Sequence, residues 1–127
     1  EDPIMILNMR YRFEAAHRLP QHRGMCRFLH GHSYGLRVSL EVVINPETGM
    51  GCDFADVDEV VQEKVLARAD HRNLNDFIEN PTAEMISIWV WEQLAGALPG
   101  KLVEIEVHET TDCSCVYRGP DPGGESA

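Results

Sequence analysis

Three histidines stand where apolar residues would continue two strands. From Met5 the chain alternates, with Met5, Leu7, Met9, Tyr11, Phe13 and Ala15 on one side and Asn8, Arg10, Arg12 and Glu14 on the other. The next position on the apolar side is His17. A second alternating run, Tyr34 to Ile44, meets His32 and then His30 when it is extended backward on its apolar side. In His30-Gly31-His32 two imidazoles leave the same side of an extended chain about 7 Å apart at the backbone, and Gly31 leaves room between them. Neutral imidazole nitrogens hold zinc, and three protein ligands with one open position form the catalytic arrangement. Unrelated polar histidines also produce an isolated His-X-His; the phase-matched His17 is what favours a shared ion. The same donor set suits iron and other metals.

Other residue types around these histidines could do chemistry. Val103, Ile105 and Val107 run into Glu109 in the same phase. A carboxylate buried there is costly without a partner, such as a ligand with amino and ring N–H donors, unless a bulge or strand end releases it to solvent. In Asp70-His71 a carboxylate beside an imidazole can fix its tautomer and raise its basicity, giving a proton-transfer pair; the same dipeptide is also an ordinary helix-terminus feature. Cys26 precedes His30 closely enough to sit beside a metal, where a positive ion lowers a thiol pKa, or to be a plain loop cysteine. Arg18, Arg23, Arg27 and Arg72 lie near these motifs and could meet phosphates, or remain solvated at the surface.

The elements that must position these groups follow from periodicity. Two long half-buried strands come first, with Pro20 and Gly24 in the loop between them, and Asn45-Pro46-Glu47-Thr48-Gly49 turns after the second. A short strand around Met50–Phe54 is expected to pair back. Val57, Val60, Val61 and Val65 predict a helix over Ala55–Arg68. Asn80-Pro81 predicts a second helix start, running to about Leu98, burying Met85, Trp89 and Leu94 and ended by Pro99-Gly100. Strands over Val103–His108 and Cys113–Tyr117 close a single domain spanning 1–127, with Gly119–Ala127 expected to fray. The fold class is α+β: a four-stranded antiparallel sheet with two helices on one face.

A chain of 127 residues fits one domain. The net charge of −10 argues against a general nucleic-acid binder. No apolar run approaches the roughly 18 residues of a membrane helix, and no secretory leader is visible, so a cytoplasmic protein with reduced thiols is expected. Cys52, Cys113 and Cys115 are expected to be small buried hydrophobes.

Phe13-Glu14-Ala15-Ala16-His17-Arg18-Leu19, Cys26-Arg27-Phe28-Leu29-His30-Gly31-His32-Ser33 and Asp70-His71-Arg72-Asn73-Leu74-Asn75-Asp76 resemble the family of 6-pyruvoyl- and 6-carboxy-tetrahydropterin synthases. Glu79-Asn80-Pro81-Thr82-Ala83-Glu84, His108-Glu109-Thr110 and Val116-Tyr117-Arg118-Gly119 match in the same order, so the resemblance spans almost the whole chain. It implies the tunnelling fold (T-fold), in which sheets from several subunits close a barrel, usually a homohexamer of two trimers with active sites between subunits. It implies Zn2+ on His17, His30 and His32, Cys26 as catalytic base, Asp70 and His71 as relay, and Glu109 anchoring a pterin with help from Thr82. The short Cys26–His30 spacing, Asp53-Phe54 and the Cys115–Gly119 end resemble the bacterial carboxy branch, which takes 7,8-dihydroneopterin triphosphate to 6-carboxy-5,6,7,8-tetrahydropterin, acetaldehyde and triphosphate in queuosine-type biosynthesis. Arg27 is the first candidate for the triphosphate. The loop from Leu19 to Cys26 is shorter than the family pattern, which bears on contacts to the substrate tail. A pyruvoyl synthase, a non-catalytic pterin- or metal-binding module and a three-histidine hydrolase are the rival readings.

Overall fold

The computed structural model describes residues 2–121. Strands β1 (Ile4–His17) and β2 (His30–Val43) form one long antiparallel hairpin, in a register that sets Phe13 against Tyr34, Ala15 against His32 and His17 against His30. Strand β4 (Lys101–His108) pairs antiparallel with β2, and β5 (Ser114–Tyr117) pairs antiparallel with β4. A two-residue strand β3 (Arg72–Asn73) adds to the free edge of β1, giving the order β3-β1-β2-β4-β5.

Helices cover one face of this sheet. Asp53 caps α1 (Phe54–Val61) by accepting from the Ala55 N–H. The helix continues through a π turn, Gln62–Leu66, into a last turn α2 (Ala67–Ala69). Val57, Val61, Val65 and Ala69, all buried, recur every four residues. Steps of four overshoot an α turn of about 3.6 residues and undershoot the wider π turn, so the π turn returns the apolar stripe to the sheet. Helix α3 (Ala83–Leu94) lays Ile86, Val90 and Leu94 on the same core. From the sheet come Phe13, Tyr34, Leu36, Val38, Ile105 and Val107, each at most 2% exposed. Burying one such side chain is worth about 1.5–3 kcal/mol, so the core holds the sheet end that carries the histidines.

Several expectations need correcting. The sheet is mixed and five-stranded, not purely antiparallel and four-stranded, because β3 pairs parallel with β1. Met50–Phe54 is no strand; its pairing is one isolated bridge, Asn45 to Met50. The second helix starts at Ala83, because the Thr82 side chain accepts from the Met85 N–H and takes the cap position, and it ends at Leu94 rather than Leu98. Met85 is 42% exposed on the solvent side of α3. Cys113 is exposed, and Cys52 and Cys115 are only half-buried. Gly119, at the start of the expected tail, has φ 88° and lies against Trp91 so closely that a Cβ would sit 2.3 Å from the ring. The rest of that expectation, residues 122–127, lies outside the described residues.

Candidate metal centre

The hairpin register alone brings the histidines together. His17 ends β1, His30 begins β2 directly opposite, and His32 lies one same-face step along. One ring nitrogen from each of His17, His30 and His32 lies within 4.8 Å of the others. His17 is completely buried, and burial lowers its pKa, favouring the neutral ring that a metal requires.

Backbone carbonyls fix two of the three rings. The His17 Nδ1–H donates to the Pro81 carbonyl at 2.7 Å, and the His30 Nδ1–H donates to the Phe28 carbonyl at 2.7 Å. A carbonyl can only accept, so both protons sit on Nδ1 and both Nε2 atoms present bare lone pairs. Those two Nε2 atoms face each other at 3.1 Å. Two lone pairs at that distance repel unless a cation lies between them. In a tetrahedral zinc site with Zn–N about 2.0–2.1 Å, ligand nitrogens stand about 3.3 Å apart. The Nε2 of His32 is buried with no hydrogen-bond partner. The donor set therefore fits a metal ion, and the committed Nδ1 protons are the outer contacts that metal-bound histidines ordinarily make.

Glu109 follows β4 and is part of the same centre: its Oε1 lies 3.8 Å from His32 Nε2, with the side chain 27% exposed. It shares a cleft of about 260 Å³ with Thr82, Leu19 and Cys115. The Thr82 hydroxyl caps α3 and lines that cleft at the same time. Cys26 sits half-buried in a 3-10 turn, Met25–Arg27. The Leu19 N–H donates to the Cys26 carbonyl at 2.8 Å, which closes the loop beside the His17–His30 end of the hairpin.

The Asp70-His71 pair is formed outside the three-histidine cluster, with His71 and His32 lining one open cleft of about 500 Å³. His71 Nδ1 and Asp70 Oδ1 are 3.1 Å apart, with the His71 side chain 77% exposed. The pair is clasped to β1 through Glu14, whose N–H donates to Asp70 Oδ1 at 2.9 Å and whose carbonyl accepts from the His71 N–H. The Glu14 N–H, then the His71 side chain, hold the Asp70 carboxyl below its usual range. Arg27 is exposed, its guanidinium over the Phe28 ring at 4.8 Å and bonded to the Arg23 carbonyl, so it does not reach the histidines. Arg18, Arg23 and Arg72 are exposed as well.

Sequence reasoning missed Tyr34, Pro81 and Phe28. Tyr34 is fully buried, and its Oη lies 3.1 Å from His17 Nδ1. Its place on the apolar side of β2, after His30 and His32, was the available signal. Pro81 and Phe28 act through backbone carbonyls, which residue type does not announce.

In sequence and in fold the chain is similar to known proteins. The family profile described as 6-pyruvoyl tetrahydropterin synthase matches residues 6–120. A relative from Synechocystis sp., named 6-carboxy-5,6,7,8-tetrahydropterin synthase, is 39% identical over 92% of this chain and 95% of its own. One from Dictyostelium discoideum, named 6-pyruvoyl tetrahydrobiopterin synthase, is 32% identical over 91% of this chain and 96% of its own. The solved structure of the Caenorhabditis elegans 6-pyruvoyl tetrahydropterin synthase superposes with a TM-score of 0.84, at 29% identity, covering 93% of this chain and 97% of that one. By sequence and by fold, the chain belongs to the 6-pyruvoyl tetrahydropterin synthase family.

Proposed function

We propose that the chain is a zinc enzyme of the cytoplasm that converts 7,8-dihydroneopterin triphosphate, with uptake of one water, to 6-carboxy-5,6,7,8-tetrahydropterin, acetaldehyde and triphosphate, in queuosine-type deazapurine biosynthesis. The observation that carries this reading is the convergence of His17, His30 and His32, two of them with Nδ1 protons committed to carbonyls, beside the carboxylate of Glu109. The name of the relative at 39% identity supports the carboxy product.

Zinc, when bound by the three histidines, supplies Lewis-acid polarisation of the substrate's side-chain hydroxyls. Glu109 accepts paired hydrogen bonds from the pterin's amino and ring N–H groups, and Thr82 lines the same cleft. The Cys26 thiolate takes a proton from the substrate side chain. His71, oriented by Asp70, carries protons on the other face. With its side chain 77% exposed, His71 is available to a site completed by a second copy of the chain, in keeping with a homohexamer that has active sites between subunits. Arg27, and with it Arg18, Arg23 and Arg72, would serve the triphosphate by turning from their present contacts.

A second reading is favoured by the names of relatives at 30–33% identity, which are 6-pyruvoyl tetrahydrobiopterin synthases. Mass spectrometry of products from the zinc-loaded protein and 7,8-dihydroneopterin triphosphate separates the two. A 6-carboxy-tetrahydropterin product with acetaldehyde is expected. A 6-pyruvoyl product would move the assignment to the sister activity, and bound pterin without turnover would make the chain a binding module.

A further inference from the structure

One short strap, residues 70–75, clasps the outer edge of β1 at two points. In a strand each residue turns its N–H and C=O to the same edge, and alternate residues share that edge; Glu14 and Arg18 share this one. Glu14 is met by Asp70 and His71. β3 then pairs with Ala15 and Ala16. Arg18 lies past the reach of either neighbouring strand: β1 ends at His17, β2 begins opposite it at His30, and β3 ends opposite Ala16. The Asn75 carboxamide takes the place of a strand there. The Arg18 N–H donates to Asn75 Oδ1 at 2.8 Å, and Asn75 Nδ2 donates to the Arg18 carbonyl at 2.9 Å. A backbone N–H only donates and a carbonyl only accepts, so the two bonds together need an amide in this one orientation.

Both sides of this clasp bear on the loop that carries Cys26. On the strap side, the Asn75 N–H donates to Asn73 Oδ1 at 3.0 Å, which caps the 3-10 turn Leu74–Asp76, and Leu74 is fully buried in the core. Asn75 therefore reaches out from a fixed platform. On the strand side, the next residue, Leu19, donates its N–H to the Cys26 carbonyl at 2.8 Å and accepts from the His22 N–H at 2.9 Å. Residues 20–25 are all exposed. With so little burial, hydrogen bonds rather than packing decide where the loop lies.

We propose that Asn75 is the positioning residue for Cys26. Its carboxamide fixes the direction in which Arg18 leaves the sheet, Leu19 then holds the Cys26 carbonyl, and the thiol is kept beside the His17–His30 end of the hairpin. The strap thus carries the Asp70-His71 pair at one end and the support for Cys26 at the other. Only the effect on turnover rests on the proposed function; the clasp and the placement of the thiol do not.

Alkylation of the full chain by iodoacetamide, read by peptide mass spectrometry, follows Cys26 apart from the other three cysteines. Asn75→Asp keeps the shape and the acceptor but sets a second acceptor against the Arg18 carbonyl. It is expected to raise the Cys26 alkylation rate about fivefold or more, the factor to which one net hydrogen bond corresponds, with metal content unchanged. Asn75→Ala, which removes both bonds without adding charge, should do the same. Wild-type rates in both variants overturn the proposal, since a residue that only filled space would be replaced well by aspartate. Hydrogen exchange in the wild type tests the clasp even if a variant fails to fold. The Arg18 amide should be protected although it lies beyond β1, and exchange as fast as in an unstructured peptide overturns the proposal. Steady-state kinetics then bear on the proposed function: kcat for the pterin triphosphate should fall by at least the alkylation factor. Faster alkylation with unchanged kcat would uphold the clasp and remove Cys26 from the chemistry.

Discussion

Nε2 of His17 and Nε2 of His30 approach to 3.1 Å with no hydrogen between them, because each ring has given its proton, at Nδ1, to a backbone carbonyl. The arrangement is unfavourable for the bare protein and favourable for a cation. The expected outcome is about one metal ion per chain by elemental analysis, with His30→Ala lowering affinity by at least the 10–100-fold typical of lost outer contacts. Metal at saturating excess should also raise the unfolding midpoint by mass action, worth about 2.7 kcal/mol at a hundredfold excess over Kd. Equal metal content in wild type and His30→Ala would dismiss the centre.

Tyr34 lies against His17 at 3.1 Å from Nδ1, with its ring stacked on Phe13 at a centroid distance of 5.0 Å. Removing the hydroxyl leaves the packing intact and takes one polar contact from a metal-facing ring. Tyr34→Phe is expected to weaken metal binding about tenfold and stability by about 1 kcal/mol. Chelator competition and urea denaturation measure the two. A variant that holds metal as tightly as wild type would limit Tyr34 to core packing.

The site was legible where side chains carried the signal. His17, His30, His32 and Glu109 stand in the phase of apolar faces, and strand alternation is a strict two-residue code, so phase alone placed them at one sheet end. The Asp70-His71 pair was legible as a dipeptide but not as a position. His71 is put in place by β3, two residues long, and by backbone bonds to Glu14, neither of which leaves a periodic trace. The start of α3 was misplaced because Asn80-Pro81 looks like a helix entry, whereas Thr82 offers the oxygen that caps. That two-residue shift matters: outside the helix, the Pro81 carbonyl is free to hold His17.

Cys26 sits in a 3-10 turn two residues before Phe28, whose carbonyl fixes His30. Thiol and ligand thus ride on one short segment. Cys26→Ala should lower turnover by about a hundredfold or more, as expected for a lost proton-transfer group, while metal content stays at the wild-type level. Full turnover in the variant would refute the base assignment; parallel loss of metal would mean the turn had rearranged.

Asp70 ties the Asp70-His71 pair to acid stability. The Glu14 N–H, followed by the His71 side chain, holds its carboxyl below the ordinary value of 3.8. Between the lowered and the ordinary value the unfolded chain binds more protons than the folded one, so stability rises with pH there. The contribution is complete above pH 3.8 and is lost as pH falls through the lowered value. Asp70→Asn lacks this charge at every pH. The gap in thermal midpoint between wild type and variant should therefore be constant toward neutrality and shrink in acid. A gap that does not change with pH would show that the Glu14 contact carries no charge-dependent stability.

His71 holds φ at 61°, the left-handed region that a β-carbon disfavours. Its backbone N–H must stay there to reach the Glu14 carbonyl at 2.5 Å. Replacing the side chain separates backbone from chemistry. His71→Gly should be more stable than His71→Ala by about 1 kcal/mol, because glycine adopts this conformation without the steric penalty. Both variants should lose turnover to a similar extent, since neither has an imidazole. Urea denaturation at one fixed protein concentration, needed if copies associate, measures the first difference, and product formation the second. If the alanine variant were the more stable, the left-handed turn would not be what holds His71 beside Asp70. If the glycine variant kept its turnover, the relay would not need the imidazole.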